Sequence, residues 1–208
     1  MFDKLRKWLP SGITMLIFPV IHMIIYETTN HFPLFGRYNE VYCRLDEVLP
    51  LVKWFMIPYC LWFVFIAGTV LLFFLTDMTE LKRYVKYLMI TVISVYPVFL
   101  FYPSTMPLRP DSVEGSGLLV FALNLLFSID DPTNIFPSLH VIWAVGSMIA
   151  LGRTKYFSSK AGRLLLFFIT FMISVSTFMI KQHSVIDVIG ALPFCLLGWY
   201  FTYSRGTA

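Results

Sequence analysis

The chain has 208 residues, of which 58% are hydrophobic, 18% aromatic and only 13% charged, with a formal net charge of +4. A soluble globular domain is nearer half apolar and a quarter charged, so this chain cannot cover itself with polar surface. The charge is too modest to indicate a nucleic-acid partner, and the long continuous apolar runs exclude the short alternating segments of a β-barrel. The composition reads as an all-α integral membrane protein forming one domain over residues 1–208.

In chain order, Lys4, Arg6 and Lys7 precede an apolar run that ends in the bulky, polar "IYETTNHFP" with no small-residue cleavage site. We therefore expect a retained first span over Ser11–Thr28 rather than a signal peptide. The loop Asn30–Pro50 carries His31, an unpaired Cys43 and "RLDE" (Arg44–Glu47), which reads either as a headgroup contact or as the cap of an interfacial helix. A second span is expected over Leu51–Thr76 and a third over Val85–Tyr102. In the following loop, Pro103–Phe136, the apolar run Leu118–Phe127 is too short to cross and reads as an interfacial or re-entrant helix. Asp130 and Asp131 read as a solvated turn. The remaining spans are expected at Pro137–Gly152, Leu164–Ile180 and Val185–Tyr203, the first of these being short. The predicted architecture is a polytopic six-helix transmembrane bundle with interfacial helices in its outer loops. Cys60 and Cys195 fall inside apolar runs and read as small buried hydrophobes, so no disulfide framework is expected.

Most of the 16 Lys and Arg residues fall on one side of these spans: Lys4, Arg6, Lys7, Lys82, Arg83, Lys86, Arg153, Lys155, Lys160, Arg163 and Arg205. Only Arg37, Arg44, Lys53, Arg109 and Lys181 fall on the other. The positive-inside rule then places both termini in the cytoplasm and the long loops outside. Trp8, Trp54 and Trp199 suit the aromatic belt. Arg109, His140, Lys181, His183 and Asp187, drawn from three parts of the chain, are all expected at the outer surface.

These residues suggest chemistry. In "KQHSVIDVIGA", His183 and Asp187 are four apart, and on a helix they would share one face. A carboxylate beside an imidazole fixes its tautomer and favours its cationic form, which prepares a nucleophile or base. In "NIFPSLHVIW", Pro137 suits a first helical turn, Ser138 and the free N–H groups there can bind an anion, and His140 follows within the turn. In "MPLRP", Arg109 offers a guanidinium to phosphate, and Lys181 offers a second positive charge. Taken alone, each segment also has a plain structural reading as a polar pair, a helix cap or a solvated loop. Together they form two histidines, a carboxylate, a hydroxyl and two cations. The surrounding positive charge argues for an anion and against a metal ion, and phosphoryl transfer through a phosphohistidine fits the set.

The same segments resemble the type 2 phosphatidic acid phosphatase superfamily, whose three blocks are Lys-x6-Arg-Pro, Pro-Ser-x-His and Ser-Arg-x5-His-x3-Asp. The second block is intact as "PSLH", the third stands as "STFMIKQHSVID" (Ser176–Asp187), and the first survives in "YPSTMPLRP" as Arg109 and Pro110. Two positions depart from the pattern, with Tyr102 at the first-block lysine and Thr177 at the third-block arginine. Both lost groups contact phosphate in the family. "FPSLH" with "KQH…D" is similar to the branch containing inositol phosphorylceramide synthase, and also resembles sphingomyelin synthases.

The resemblance implies that His183 attacks phosphorus, that Asp187 orients it and that His140 serves as acid and then base. Arg109, Ser138 and Lys181 would hold the phosphoryl oxygens, with Tyr102, Ser176 and Thr177 as further members of the motif. It also implies no metal or other cofactor, and as partner a membrane lipid, either a lipid phosphate or a phospholipid, in the bilayer of a bacterial plasma membrane. Three activities stay open: lipid phosphate hydrolysis, headgroup transfer, and lipid binding or transport without catalysis. His22, in the first span, reads as a structural histidine facing the bundle.

Overall fold

The computed structural model describes residues 2–34 and 36–204, with side chains described from residue 17 onward. Eight α-helices carry the described chain: α1 (Phe2–His31), α2 (Arg44–Val48), α3 (Met56–Thr76), α4 (Met78–Phe101), α5 (Leu118–Ile129), α6 (Leu139–Leu151), α7 (Lys160–Met179) and α8 (Val185–Trp199). A 3-10 turn at Lys53–Phe55 leads into α3, and a π-helical turn at Tyr200–Ser204 extends α8. Two short strands, β1 (Asn39–Glu40) and β2 (Ser104–Thr105), pair in parallel.

Helix starts follow local capping chemistry. Asp77 accepts from the amides of Thr79 at 2.9 Å and Glu80 at 3.1 Å, satisfying two orphan donors of α4. The helix therefore begins at Met78, ahead of the predicted Val85. Lys82, Arg83 and Lys86 are too polar to count as span, yet they are good helix formers. Ser159 caps α7 in the same way through Gly162 N at 3.0 Å. Pro137 lies just before the cap of α6 rather than in its first turn, because Ser138 is the N-cap.

Among the described residues, four helical stretches are long and apolar enough to cross a membrane: Lys53–Thr76, Met78–Phe101, Lys160–Met179 and Val185–Ser204. They match the second, third, fifth and sixth predicted spans. The predicted first span lies within α1, but the side chains of residues 11–16 lie outside the described residues. The predicted fourth span forms α6, whose 13 residues reach about 20 Å at 1.5 Å per residue. A hydrocarbon core is about 30 Å thick. Helix α5 has 12 residues and is of similar reach.

Helix α6 stands at the centre, packed against α3, α4, α7 and α8. Tyr87 of α4 fills the space between α6 and α8. A Cβ on Gly146 would lie 2.3 Å from its ring and one on Gly198 2.7 Å away, so only glycine admits this ring on both sides. Its hydroxyl donates to Ile142 O at 3.1 Å. The outward faces of the long helices are as apolar as the core: Val64, Leu75, Phe167, Phe168 and Leu196 all face outward, Leu75 with 71% of its surface exposed. Continuous apolar surface of this extent is disfavoured in water and natural in lipid. The architecture is that of a helical membrane protein.

One end of the bundle gathers the long loops, where β1–β2 pairing ties residues 39–40 to 104–105. Asn134 N donates to Ser104 O at 2.7 Å and Phe136 N to Ser104 Oγ at 3.0 Å. The opposite end carries Lys82, Arg83, Lys86, Arg153 and Lys155, where the Lys86 ammonium meets Phe201 O at 3.2 Å and the Arg153 guanidinium lies over the Tyr203 ring.

Candidate active site

Two helix starts build the site. Ser138 Oγ accepts from Val141 N at 3.4 Å at the head of α6. Ser184 caps α8 by accepting from Ile186 N at 3.1 Å, and Asp187 reaches back to accept from Ser184 N at 2.8 Å. This is a reciprocal capping box. The backbone also joins the two starts directly, Ser138 N donating to Asp187 O at 3.2 Å.

The caps place the ionisable groups. His183 Nδ1 lies 3.3 Å from Asp187 Oδ2 and 2.9 Å from Ile135 O. His183 Nε2 lies 3.0 Å from His140 Nδ1, and His140 Nε2 lies 2.9 Å from the Tyr59 hydroxyl. Asp187 is fully buried, and its Oδ1 has no partner. The expected pairing of His183 with Asp187 is present, but it does not arise from one helical face. His183 precedes the N-cap and lies outside the helix, and Asp187 reaches it as the third residue of the capping box.

His140 and His183 line a cavity of about 320 Å³ walled by α1, α3, α5 and α6, together with Tyr26, Glu27, Tyr59, Trp62, Asp130 and Asn134. Asn134 is buried, and its Oδ1 has no partner. Phe136 packs against α8, its ring within 2.2 Å of where a Cβ on Gly190 would lie, so α8 approaches this loop through a glycine.

Arg109 is brought near the pair but not onto it. Its Nη1 donates to Gln182 Oε1 at 2.8 Å and to Asp130 O at 2.6 Å, and its guanidinium lies 4.8 Å over the Phe127 ring. Gln182 in turn donates to Asp130 Oδ2 at 2.6 Å. Burial lowers the Arg109 pKa, with Asp130 opposing. Burial pushes the Asp130 carboxyl up, with His183 and Arg109 pulling it back. Asp130 is thus no solvated turn residue, because Gln182 and Arg109 draw it into the site. Asp131 is exposed, with His31 Nε2 3.8 Å away.

The other expected phosphate contacts fall elsewhere. Lys181 has φ +63, which turns its side chain away from the histidines. Its buried ammonium donates to Leu49 O at 2.7 Å and to Asp46 O. Tyr102 is half exposed and lines a separate groove of about 540 Å³ with Val41, Val98, Phe136 and Ile186. Ser176 and Thr177 are buried, and their hydroxyls donate to Ile173 O and Ser174 O of their own helix. Ser138 is engaged as a cap. His22, expected to be structural, lies 2.7 Å from the Tyr96 hydroxyl and also lines the cavity.

Sequence reasoning missed Tyr59, Gln182 and the role of Asp46. Asp46 of α2 is buried and accepts from Ser184 Oγ at 2.6 Å, Val185 N at 3.0 Å and Cys43 N at 2.9 Å. A carboxylate at the N-terminus of α8 also suits the helix dipole. Burial alone would raise its pKa, but hydrogen bonds from Ser184, Val185 and Cys43 together hold it below the ordinary carboxylate value. A lowered folded-state pKa contributes stability that is present at neutral pH and lost as pH falls through the lowered value. Asp46→Asn is therefore expected to cost about 1–3 kcal/mol at pH 7, and the gap to wild type should close as thermal unfolding in detergent is repeated toward pH 3. Equal melting temperatures at pH 7 would contradict the clamp.

The fold is a helical bundle with apolar outward faces, whose capped helix starts bring His140 and His183 together at one cavity with Asp187 behind His183. The chain belongs to the PAP2 superfamily, whose family model matches residues 39–201 and so takes in α2 through α8 and both histidines. Neither a curated protein nor a solved structure matches it.

Proposed function

We propose that this protein is a membrane lipid phosphatase or phosphotransferase that works through a phosphohistidine on His183. The contact of His183 Nε2 with His140 Nδ1 at 3.0 Å, with Asp187 and Ile135 O behind His183, carries the reading. Because Ile135 O and the Asp187 carboxylate can only accept, Nδ1 of His183 holds the proton and Nε2 keeps its lone pair. A lipid phosphate entering the cavity displaces the contact between the two rings. Nε2 attacks phosphorus, the bond from phosphorus to the leaving oxygen breaks, and protonated His140 gives that oxygen its proton. Water or an acceptor hydroxyl then loses a proton to His140 and attacks phosphorus, the N–P bond breaks, and His183 is restored. Asp187 stabilises the positive charge that builds on His183. Arg109, tethered by Gln182, is the cation within reach of the non-bridging oxygens.

In this reading α1 and α6 complete six crossings, with α6 in a part of the bundle covered by protein. The basic end faces the cytoplasm and the loop end faces outward, so the site meets the outer leaflet. Substrates of the fitting class are phosphatidic acid, phosphatidylglycerol phosphate, a polyprenyl pyrophosphate or a diester phospholipid.

The charge inventory favours transfer from a diester over hydrolysis of a monoester. With Lys181 committed to Leu49 and Asp46 carbonyls, and neutral Tyr102 and Thr177 outside the site, Arg109 is the one permanent cation beside the histidines among the described residues, and it matches a single negative charge. A phosphodiester carries one, whereas a monoester approaches two. Purified protein given headgroup-labelled diester phospholipid and a diacylglycerol-type or ceramide acceptor should yield labelled product lipid. Labelled water-soluble phosphate instead would return the assignment to hydrolysis, and no turnover of any lipid phosphate would remove both readings.

A further inference from the structure

Tyr59, a residue of α3 that takes no part in the phosphoryl-transfer steps, is 1% exposed. Its hydroxyl lies 2.9 Å from His140 Nε2, and its ring centroid 5.1 Å from that of the imidazole. Donor and acceptor accounting along the chain has one solution in the resting, neutral state. Ile135 O accepts only, so His183 Nδ1 donates and His183 Nε2 accepts. His140 Nδ1, 3.0 Å from that Nε2, must then donate. A neutral His140 is left with a lone pair on Nε2, and the Tyr59 hydroxyl is its donor.

We propose that Tyr59 is a positioning residue for His140: it donates to Nε2 of the neutral resting ring and accepts from Nε2–H in the imidazolium and in the neutral ring left after proton transfer, so that Nδ1, towards the nucleophile and the reacting phosphorus, is the atom that gives and regains the proton. A hydroxyl suits this position because it both donates and accepts. When His140 becomes imidazolium, its Nε2–H donates to the same oxygen, so the partner serves both states of a group that must cycle. A carboxylate there would hold His140 cationic. The two histidines are thus given different neighbours for different tasks: a carboxylate behind the one that becomes a cationic phosphohistidine, and a hydroxyl behind the one that gives and regains a proton. The Trp62 indole N–H, donating to His140 O at 2.9 Å, holds the backbone of the same residue, so α3 grips His140 at two points.

The role rests on the phosphohistidine reading, and one variant separates the two ideas. Tyr59→Phe keeps the ring and removes only the hydroxyl. In full-length protein in lipid nanodiscs, its melting temperature should match wild type and its KM should stay within about twofold. Its kcat should fall roughly 10- to 100-fold, less than the roughly 10²- to 10⁴-fold that positioned acid–base catalysis supplies, because His140 itself remains. Charge-assisted hydrogen bonds are the stronger ones, so losing this partner penalises imidazolium more than neutral His140. The alkaline limb of the rate profile should therefore move to lower pH. The other titratable groups facing this ring are His183, with Asp187 behind it, and Asp130, Glu27, Tyr26 and His22 along the cavity, with Arg109 beyond Asp130. None of these is altered by the variant.

A readout independent of turnover is the ¹⁵N–¹H correlation of labelled histidine, assigned with a His140→Gln control. Wild type should show His140 protonated at Nδ1, and Tyr59→Phe should show a mixture or the reverse. A wild-type His140 protonated at Nε2, or a variant with unchanged kcat, pH profile and tautomer, would overturn the proposal. The expected tautomers in a protein that turns over no phospholipid would uphold Tyr59 and overturn the functional reading instead.

Discussion

His183→Ala is expected to lower phospholipid turnover by about a thousandfold or more, roughly 4 kcal/mol of barrier, without loss of the fold. The imidazole supplies the attacking Nε2, and no other described side chain stands where it could take over. His140 is nearest, but its Nδ1 carries the proton that faces His183, and its Nε2 is turned to Tyr59. The removed ring lines a cavity rather than filling the core between α4, α6 and α8, so the stability loss should be small beside the kinetic one. Turnover that persists in the variant at a tenth of wild type or better would put the nucleophile elsewhere.

Asp187→Asn is the second large effect, expected at about 10²- to 10⁴-fold in kcat with KM little changed. Asparagine keeps an oxygen for the Ser184 amide, so the cap of α8 and the register of the loop survive. What is lost is the negative charge beside His183. The lower end of the range applies if Ile135 O, at 2.9 Å, holds the ring without help. The upper end applies if the amide nitrogen turns to Nδ1 and drives the proton onto Nε2, which would silence the nucleophile. Steady-state kinetics with ¹⁵N histidine spectra would tell these apart. An effect confined to KM would mean that Asp187 serves substrate binding rather than the chemical step.

The chain of His140, His183 and Asp187 was legible because each segment has local chemistry: a capped helix start, or a carboxylate within one turn of an imidazole. The long helices were legible for the same reason, since lipid demands apolar runs that composition reveals. Their ends were less so. The start of α4 at Met78 depends on Asp77 as a cap, which a search for apolar residues does not register. Lys181 shows the opposite error, because nearness in sequence suggested nearness in space. One residue at positive φ sends its ammonium to the carbonyls of Asp46 and Leu49. Tyr59 stands 81 residues before His140 in an apolar run, where an isolated tyrosine looks like any membrane aromatic. Asp46 meets Ser184 across 138 residues. Such contacts follow from helix packing and leave no trace in local spacing. Gln182 carries no local signal of its own, because its amide links Arg109 to Asp130 only once the fold brings three distant segments together.

A covalent bond between phosphorus and His183 can be read directly. Wild-type protein mixed with phosphorus-labelled phospholipid, quenched in alkaline denaturant within milliseconds and digested, should release one labelled peptide containing His183. The label should be acid-labile and alkali-stable, and should be absent from His183→Ala. His140→Ala, which slows both steps, should not transfer the label to another residue. Full turnover with no covalent label on the protein, or a label on any residue other than His183, would contradict the account.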